Sequence, residues 1–227
     1  MLYSSPMKTF VVGDIHGAHK ALVECLGLAR FDRSQDRLIC LGDVCDRGAQ
    51  VKECIDELLN IPHCVYILGN HDAWGLDWMT SGTILPEWKS QGGADTIRSY
   101  KKTGPLKAHI KFLSEAHLYY INANRLFVHA GFDPDILIEQ TSKEILLWDR
   151  SFIKRAQEIS TLDPAFKFKG YEEIYVGHTP TTNLGSKQPL KLGNVWAMDT
   201  GAGWGAKLTI MDIDTKQFWQ SETKKHD

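Results

Sequence analysis

The 227-residue sequence predicts an α/β fold in which two β-sheets stack face to face and helices cover their outer sides. In the first half of the chain, three short apolar segments that each end in glycine alternate with amphipathic helical segments. In the second half, several strand-like segments follow one another closely, and a polar turn joins two of them. The first pattern is typical of parallel strands with helical crossovers, and the second is typical of neighbouring strands.

The first half predicts a β-α-β-α-β unit. Its strand-like segments are TFVVG (9–13), RLICLG (37–42) and CVYILG (64–69), which are apolar and rich in β-branched residues. Between them, apolar residues recur at helical spacing from Lys20 to Ala29 and from Val51 to Leu59. Strands joined by such helices are parallel, so their carboxyl ends meet at one sheet edge, where open α/β sheets bind ligands.

The second half is expected to be an antiparallel, strand-rich region. After a helical segment at 106–117, the polar turn at 122–124 predicts a hairpin between segments 118–121 and 125–129. Further strands are expected at 173–177, 195–199, 207–213 and 218–221.

The length favours one domain over 1–227, with a partly helical insertion at about 73–105 that leans over the sheet edge. The chain has 26 Lys and Arg against 28 Asp and Glu, so no general basic surface is available and nucleic-acid binding is not expected. No segment approaches the roughly 20 apolar residues of a membrane helix, and the first residues lack a secretory pattern. We therefore expect a cytoplasmic protein with no membrane partner.

Side chains that bind metals follow directly on five strand-like segments. They are Asp14 and His16 in GDIHG, Asp43 in GDVCDRG, Asn70 in GNHD, His129 in VHAG and His178 in GHTP. Each alone has an ordinary explanation, because Asp and Asn are common in turns and helix caps, and buried histidines usually satisfy backbone groups. Together they exceed the ligand set of one ion and predict two adjacent cations, for which carboxylate and imidazole ligands favour Mn²⁺, Fe²⁺ or Zn²⁺.

In order and spacing, these motifs and Asp199-Thr200-Gly201 resemble those of the calcineurin-like metallophosphoesterases. The similarity is to the phosphoprotein phosphatase branch, which contains phage lambda-type protein phosphatases and bacterial diadenosine tetraphosphatases. It spans residues 13–201 and implies a four-layer α-β-β-α sandwich of two mixed β-sheets. Two positions depart from the family pattern, since Asp72 stands where Glu is usual and Cys45 where Val is usual.

The resemblance also implies a role for each matched residue. Asp14 and His16 would bind the first metal, Asp43 would bridge both, and Asn70, His129 and His178 would complete the second. Arg47 and Arg150 would hold phosphate oxygens, and His71, paired with Asp46, would donate a proton to the leaving group. The chemistry agrees, because a water shared by two cations is acidified toward a pKa of about 7 and guanidinium groups match phosphate geometry. Taken singly, both arginines are better explained as surface charges.

These observations leave two substrate classes open. The leading hypothesis is a phosphatase with two divalent ions, most suitably Mn²⁺, that hydrolyses phosphomonoesters, above all phosphoserine or phosphothreonine in proteins. The alternative is a symmetrical dinucleoside polyphosphate hydrolase, in which aromatic residues of the insertion would stack on nucleobases. Those residues are Trp74, Trp78, Trp88 and Tyr100. Packing explains them equally well.

Overall fold

The computed structural model describes residues 6–222, which form two five-stranded β-sheets. The strands are β1 (Thr9–Val12), β2 (Arg37–Cys40), β3 (Cys64–Tyr66), β4 (Tyr119–Asn122), β5 (Arg125–Val128), β6 (Glu173–Val176), β7 (Leu190–Leu192), β8 (Val195–Ala197), β9 (Thr209–Asp212) and β10 (Phe218–Gln220). Their order is β10-β9-β1-β2-β3 in the first sheet and β4-β5-β6-β8-β7 in the second. Both sheets contain parallel and antiparallel pairs, so the predicted α/β class with two mixed sheets is confirmed.

Helices connect most of these strands. They are α1 (His19–Leu28), α2 (Val51–Leu59), α3 (Asn70–Ser81), α4 (Pro86–Trp88), α5 (Ala94–Ser99), α6 (Lys107–Ser114), α7 (Lys143–Trp148) and α8 (Ser151–Leu162). As predicted, α1 and α2 link the parallel strands β1, β2 and β3. Residues 73–105 contain most of α3, then α4, a kinked connection at Lys89–Gly93 in which Gln91 and Gly92 are not helical, and α5. None of the helices within residues 6–222 is long and apolar enough to cross a membrane.

Successive side chains of a strand point to opposite faces of its sheet, so each sheet contributes to two apolar layers. In β1, Phe10 and Val12 pack into the cluster that contains α1 and α2, whereas Val11 packs between the two sheets. The layer between the sheets also contains Phe127 and Tyr175, whose rings stack with centroids 4.9 Å apart. The outer face of the second sheet packs against α8. Each sheet is therefore apolar on both faces, which gives the four-layer α-β-β-α sandwich.

Two details of the second half differ from the expectation. The strands β5, β6 and β8 are parallel rather than antiparallel. The connection from β5 to β6 contains α7 and α8, and the connection from β6 to β8 contains β7, none of which the sequence analysis predicted. The final hairpin β9-β10 belongs to the first sheet, where Met211 of β9 pairs with Val11 of β1. The expected single domain 1–227 includes residues 1–5 and 223–227, which lie outside the described residues.

Candidate metal centre

The residues that follow the strands meet at one edge of the sandwich. All six predicted metal ligands are buried there, with at most 6% of each residue exposed. Within residues 6–222, two groups of three His or Asp residues bring their ligand atoms within 4.8 Å of one another. One group is His16, Asp43 and His71, and the other is Asp43, His129 and His178. Asp43 belongs to both groups, as a bridging ligand would.

Asp43 is held so that one carboxylate oxygen faces both groups. Its Oδ2 lies 3.7 Å from His16 Nε2 and 3.5 Å from His129 Nε2. Its Oδ1 accepts a hydrogen bond from the His71 backbone N–H at 2.9 Å. A Cβ at Gly69 would lie 2.0 Å from Oδ1, so only glycine fits beside this carboxylate.

Backbone carbonyls orient two of the histidines. The Nδ1 atoms of His16 and His129 lie 2.7 Å from the carbonyl oxygens of Cys45 and Leu41, respectively. Donation of an Nδ1 proton to a carbonyl leaves the Nε2 lone pair directed at Asp43, as metal ligation requires. Burial lowers the pKa of His129 to about 3, and burial together with the charges of His129 and Arg150 lowers that of His178 to about 2. These imidazoles are neutral at pH 7 and able to bind a cation.

The donor set fits divalent cations. His178 Nε2 is buried without a hydrogen-bond partner among the described residues. The neutral His129 has one N–H yet lies between two oxygens, with Asn70 Oδ1 2.9 Å from its Nε2. Burial, with the charges of Asp199 and Asp43, raises the pKa of Asp14 well above its ordinary value, and burial raises that of Asp43 to about 8. Cations at this edge would satisfy the lone pairs and offset the buried negative charge.

Asp14 lies beside the two donor groups rather than within them. Both of its carboxylate oxygens lie 3.1 Å from the backbone N–H of His178, which donates to them. A Cβ at Gly177 would lie 2.3 Å from Asp14 Oδ1, so this approach also requires glycine. Asp14 thereby joins the end of β1 in the first sheet to the end of β6 in the second.

His71 and Asp46 form the predicted pair, and Arg47 contacts the other ring nitrogen of His71. His71 Nδ1 lies 2.6 Å from Asp46 Oδ2, and His71 Nε2 lies 3.2 Å from an Arg47 Nη2. Burial acts to lower the pKa of His71, but the charge of Asp43 and the hydrogen bond to Asp46 outweigh it and raise the pKa. The Arg47 guanidinium stacks on the Trp204 ring, 3.9 Å from its centroid.

Arg150 is directed at the same edge from the second sheet. It directly precedes α8, and its Nη1 lies 3.3 Å from both the carbonyl oxygen of His178 and Thr179 Oγ1. Arg150 is an exposed residue, yet its side chain contacts the backbone beside a predicted ligand and lines the same cavity as His71. Its role at the phosphate therefore stays a prediction.

A cavity of about 590 Å³ joins these groups. Its lining includes His16, Asp43, Arg47, His71, Arg150 and His178. The cavity extends past Lys154 and Asn183 and is bordered by Trp204, which is 66% exposed. A phosphate group bound at the metal donors would therefore lie at the bottom of an open cleft.

Two acidic residues contribute more than the sequence indicated. Asp72 is fully buried, and its carboxylate accepts hydrogen bonds from the backbone N–H groups of Asp43, Val44, Cys45 and Gly69 at 2.7 to 3.1 Å. It therefore anchors the loop that carries Asp43. Asp199 lines the cavity, where burial raises its pKa to about 6. Its position at the end of the expected strand 195–199 was the available signal, because the six assigned ligands lie at the ends of five such segments.

Left-handed backbone is concentrated at this edge. Nine non-glycine residues within 6–222 have positive φ, and five of them are His16, Asp43, Asp46, Arg47 and His178. Such conformations are uncommon for residues with a Cβ and persist where surrounding contacts hold them. This concentration indicates a functional site.

At one edge of the four-layer sandwich, buried carboxylates and neutral imidazoles form the donor set of a metal-binding site. The sequence profile of the calcineurin-like phosphoesterases matches residues 7–197. The chain belongs to this family and is a metal-dependent hydrolase of phosphoric esters.

Curated relatives carry two different activities in their names. The chain is 29% identical to serine/threonine-protein phosphatase 1 of Salmonella typhimurium over 213 residues, which cover 90% of this chain and 91% of the relative. It is also 29% identical to a symmetrical bis(5'-nucleosyl)-tetraphosphatase of Nitrosomonas europaea over 175 residues, or 77% of this chain and 59% of the relative. The crystal structure of a candidate diadenosine tetraphosphatase superposes with a TM-score of 0.68 at 17% identity, covering 96% and 95% of the two chains. At that identity the superposition supports the fold alone.

Proposed function

We propose that this chain is one catalytic domain over 1–227, with an insertion at about 73–105, that removes phosphate from phosphoserine or phosphothreonine in proteins. The observation that carries the proposal is the His71-Asp46 pair, whose imidazole lines an open cavity together with Arg47 and Arg150. The relative named serine/threonine-protein phosphatase 1 supports it, since the alignment covers nearly all of both chains.

Six residues would hold two divalent cations, most suitably Mn²⁺. They are Asp14 and His16 at the first position, Asp43 between the two, and Asn70, His129 and His178 at the second. Cations held by these residues would lower the pKa of a bound water and so favour its attack on phosphorus. The buried carboxylates of Asp14 and Asp43 would balance the positive charge of these cations.

Arg47 and Arg150 would bind the oxygens of the phosphoryl group. The two guanidinium groups approach the cavity from the loop after β2 and from the residue before α8, and planar donors of this kind match phosphate oxygens. Stacking on Trp204 fixes the plane of the Arg47 guanidinium. Both arginines would thus stabilise the charge that spreads over these oxygens in the transition state.

His71 would donate a proton from Nε2 to the leaving oxygen. In the present geometry its Nδ1–H donates to Asp46, and its Nε2 accepts from Arg47. Protonation of Nε2 removes that acceptor, which releases the Arg47 N–H for the phosphoryl group. Asp46 stabilises the protonated imidazole, consistent with the raised pKa of His71.

The alternative, symmetrical hydrolysis of dinucleoside polyphosphates, is favoured by the half-buried Trp74 ring beside His71 and by the exposed Trp148 ring that Trp74 contacts. Trp74 lies edge-on to His71 with centroids 5.4 Å apart and contacts Trp148, which is 40% exposed. Two other candidates for base stacking, Trp88 and Tyr100, are at most 2% exposed and pack inside the protein. The alignment with the Actinobacillus succinogenes tetraphosphatase extends over 288 positions, more than this chain has residues, so that relative carries additional segments.

A competition assay tests the proposal. The metal-depleted protein is reconstituted with Mn²⁺ and given a phosphoserine peptide and diadenosine tetraphosphate in one tube, and kcat/KM is obtained for each from the products. We expect the peptide to be preferred. Preference for the dinucleotide would replace the proposed substrate with the alternative, and hydrolysis of neither would refute both. The protein without added metal is the control.

A further inference from the structure

The segment 86–96 of the insertion packs against the back of the Asp46-Arg47 loop. It consists of α4, the kinked connection at Lys89–Gly93 and the first residues of α5. Trp88 and Thr96 in this segment are 1% and 0% exposed, and neither lines the catalytic cavity among its described lining residues. The indole N–H of Trp88 and the hydroxyl of Thr96 nevertheless contact Asp46, which lies behind the cavity-lining His71.

The carboxylate of Asp46 receives hydrogen bonds from both residues as well as from His71. Asp46 Oδ2 accepts from Trp88 Nε1 at 2.8 Å and from His71 Nδ1 at 2.6 Å. Its other oxygen, Oδ1, accepts from the Thr96 hydroxyl at 2.6 Å, and the Asp46 backbone N–H donates to that hydroxyl at 2.8 Å. With Asp46 completely buried, these contacts fix the direction in which it presents Oδ2 to the imidazole.

The Gly92-Gly93 pair allows the segment to approach this closely. The backbone N–H of Arg47 donates to the Gly92 carbonyl at 3.3 Å, and a Cβ at Gly92 would lie 2.7 Å from the same nitrogen. A Cβ at Gly93 would lie 2.4 Å from the Trp88 indole. Asp46 and Arg47 have φ of 72° and 64°, so the loop adopts a backbone that needs support from outside.

We propose that Trp88 and Thr96 are positioning residues of the hydrolysis reaction, which act by holding the Asp46 carboxylate that orients His71. The inference rests on the proposed role of His71 as proton donor. A role confined to packing would require the indole ring and the threonine methyl group. The positioning role requires the indole N–H and the hydroxyl, so isosteric variants separate the two.

Three substitutions and a matched control test the inference in the full-length, Mn²⁺-loaded protein. Trp88→Phe keeps an aromatic ring without the N–H, Thr96→Val keeps the volume without the hydroxyl, and Thr96→Ser keeps the hydroxyl. Trp78→Phe is the control, because the Trp78 ring packs beside Trp88 with centroids 5.9 Å apart but the hydrogen bonds described for the Asp46 side chain do not involve it. The readouts are kcat and KM on a phosphoserine peptide and on an aryl phosphate with an acidic leaving group, with metal content by elemental analysis.

We expect Trp88→Phe and Thr96→Val to lower kcat on the peptide by about 10-fold, as for the loss of one hydrogen bond to a charged group. The loss on the aryl phosphate should be smaller, because an acidic leaving group needs less proton donation. KM and metal content should stay unchanged, and Thr96→Ser and Trp78→Phe should resemble the wild type. In a His71→Asn background, Trp88→Phe should cause no further loss.

Equal losses on both substrates, or unchanged kcat in Trp88→Phe and Thr96→Val, would overturn the inference. The His71→Asn variant distinguishes its failure from that of the proposed function. If His71→Asn shows the leaving-group dependence and the positioning variants do not, only the positioning role is wrong. If His71→Asn shows none, the proton-donor role itself is wrong. Should Trp88→Phe fail to fold, as judged by circular dichroism, the comparison of Thr96→Val with Thr96→Ser decides.

Discussion

Replacing His71 by asparagine separates two roles that the geometry of this histidine permits. His71 is 4% exposed and bonded to Asp46, as a proton donor would be, yet its ring nitrogen also lies within the first donor group with His16 and Asp43. General acid catalysis contributes roughly 10²- to 10⁴-fold. The His71→Asn variant should therefore lose that factor in kcat on a phosphoserine peptide, or about 3 to 5 kcal/mol of transition-state stabilisation.

The structure predicts that this variant keeps its fold and its metals. Asp46 retains hydrogen bonds from Trp88 and Thr96 after the substitution, so it is not left without partners. Asp43 retains its position between His16 and His129. The assay measures kcat on the peptide and on a nitrophenyl phosphate, with metal content determined on the same samples. The loss should be largest on the peptide, whose leaving alkoxide needs the proton most.

A different outcome would refute this reasoning. If His71→Asn loses a metal ion and slows both substrates equally, the histidine is a ligand of the first group. The Asp46 contact would then orient a ligand rather than a proton donor.

Three further substitutions test other parts of the site and the fold. Arg150→Ala should lower kcat/KM at least 10-fold through weaker phosphate binding. An unchanged kcat/KM would mean that Arg150 is a surface charge with no role in phosphate binding. Asp43→Asn should remove metal binding, and retained metal would contradict this. The variant should also raise the thermal stability of the metal-free protein, because burial destabilises the charged carboxylate and raises its pKa to about 8. Scanning calorimetry of the metal-free wild type and variant checks this. For Glu173, burial acts to raise the pKa, but hydrogen bonds from Lys216 and Tyr175 lower it. The ionised Glu173 therefore stabilises the folded protein by about 1 kcal/mol above the ordinary glutamate pKa, and this stabilisation is lost as the pH falls through the lowered pKa of the folded state. In urea unfolding, Glu173→Gln should be less stable than the wild type at pH 7 and equally stable in acid.

The first half of the fold was predictable because local patterns determine it. Strands β1, β2 and β3 begin at the residues where their apolar runs begin, and α2 occupies Val51–Leu59 as its spacing indicates. The second half was less predictable, because parallel pairing of β5, β6 and β8 depends on which strands become neighbours. The segment 132–170 contains α7 and α8, and without those helices the strands looked like consecutive antiparallel partners.

The sequence predicted the members of the site better than their arrangement. Motifs after the strands predicted six metal donors, and the structure buries all of these residues at one edge. The motifs did not indicate that His71 joins the group of His16 and Asp43 while Asp14 lies beside it. Nor did they indicate that Trp88 and Thr96 bond to Asp46, because that contact joins residues 42 and 50 positions apart. Contacts at such separations depend on the tertiary fold and leave no periodic signal.

The most direct test of the account is metal stoichiometry measured together with activity. The full-length protein is depleted with a chelator, titrated with Mn²⁺, and followed by elemental analysis and by hydrolysis of a phosphoserine peptide. The account predicts that activity is absent without metal and reaches its maximum at two ions per chain. Hydrolysis that survives complete depletion, or full activity at one ion per chain, would contradict the two-metal site on which the proposed mechanism depends.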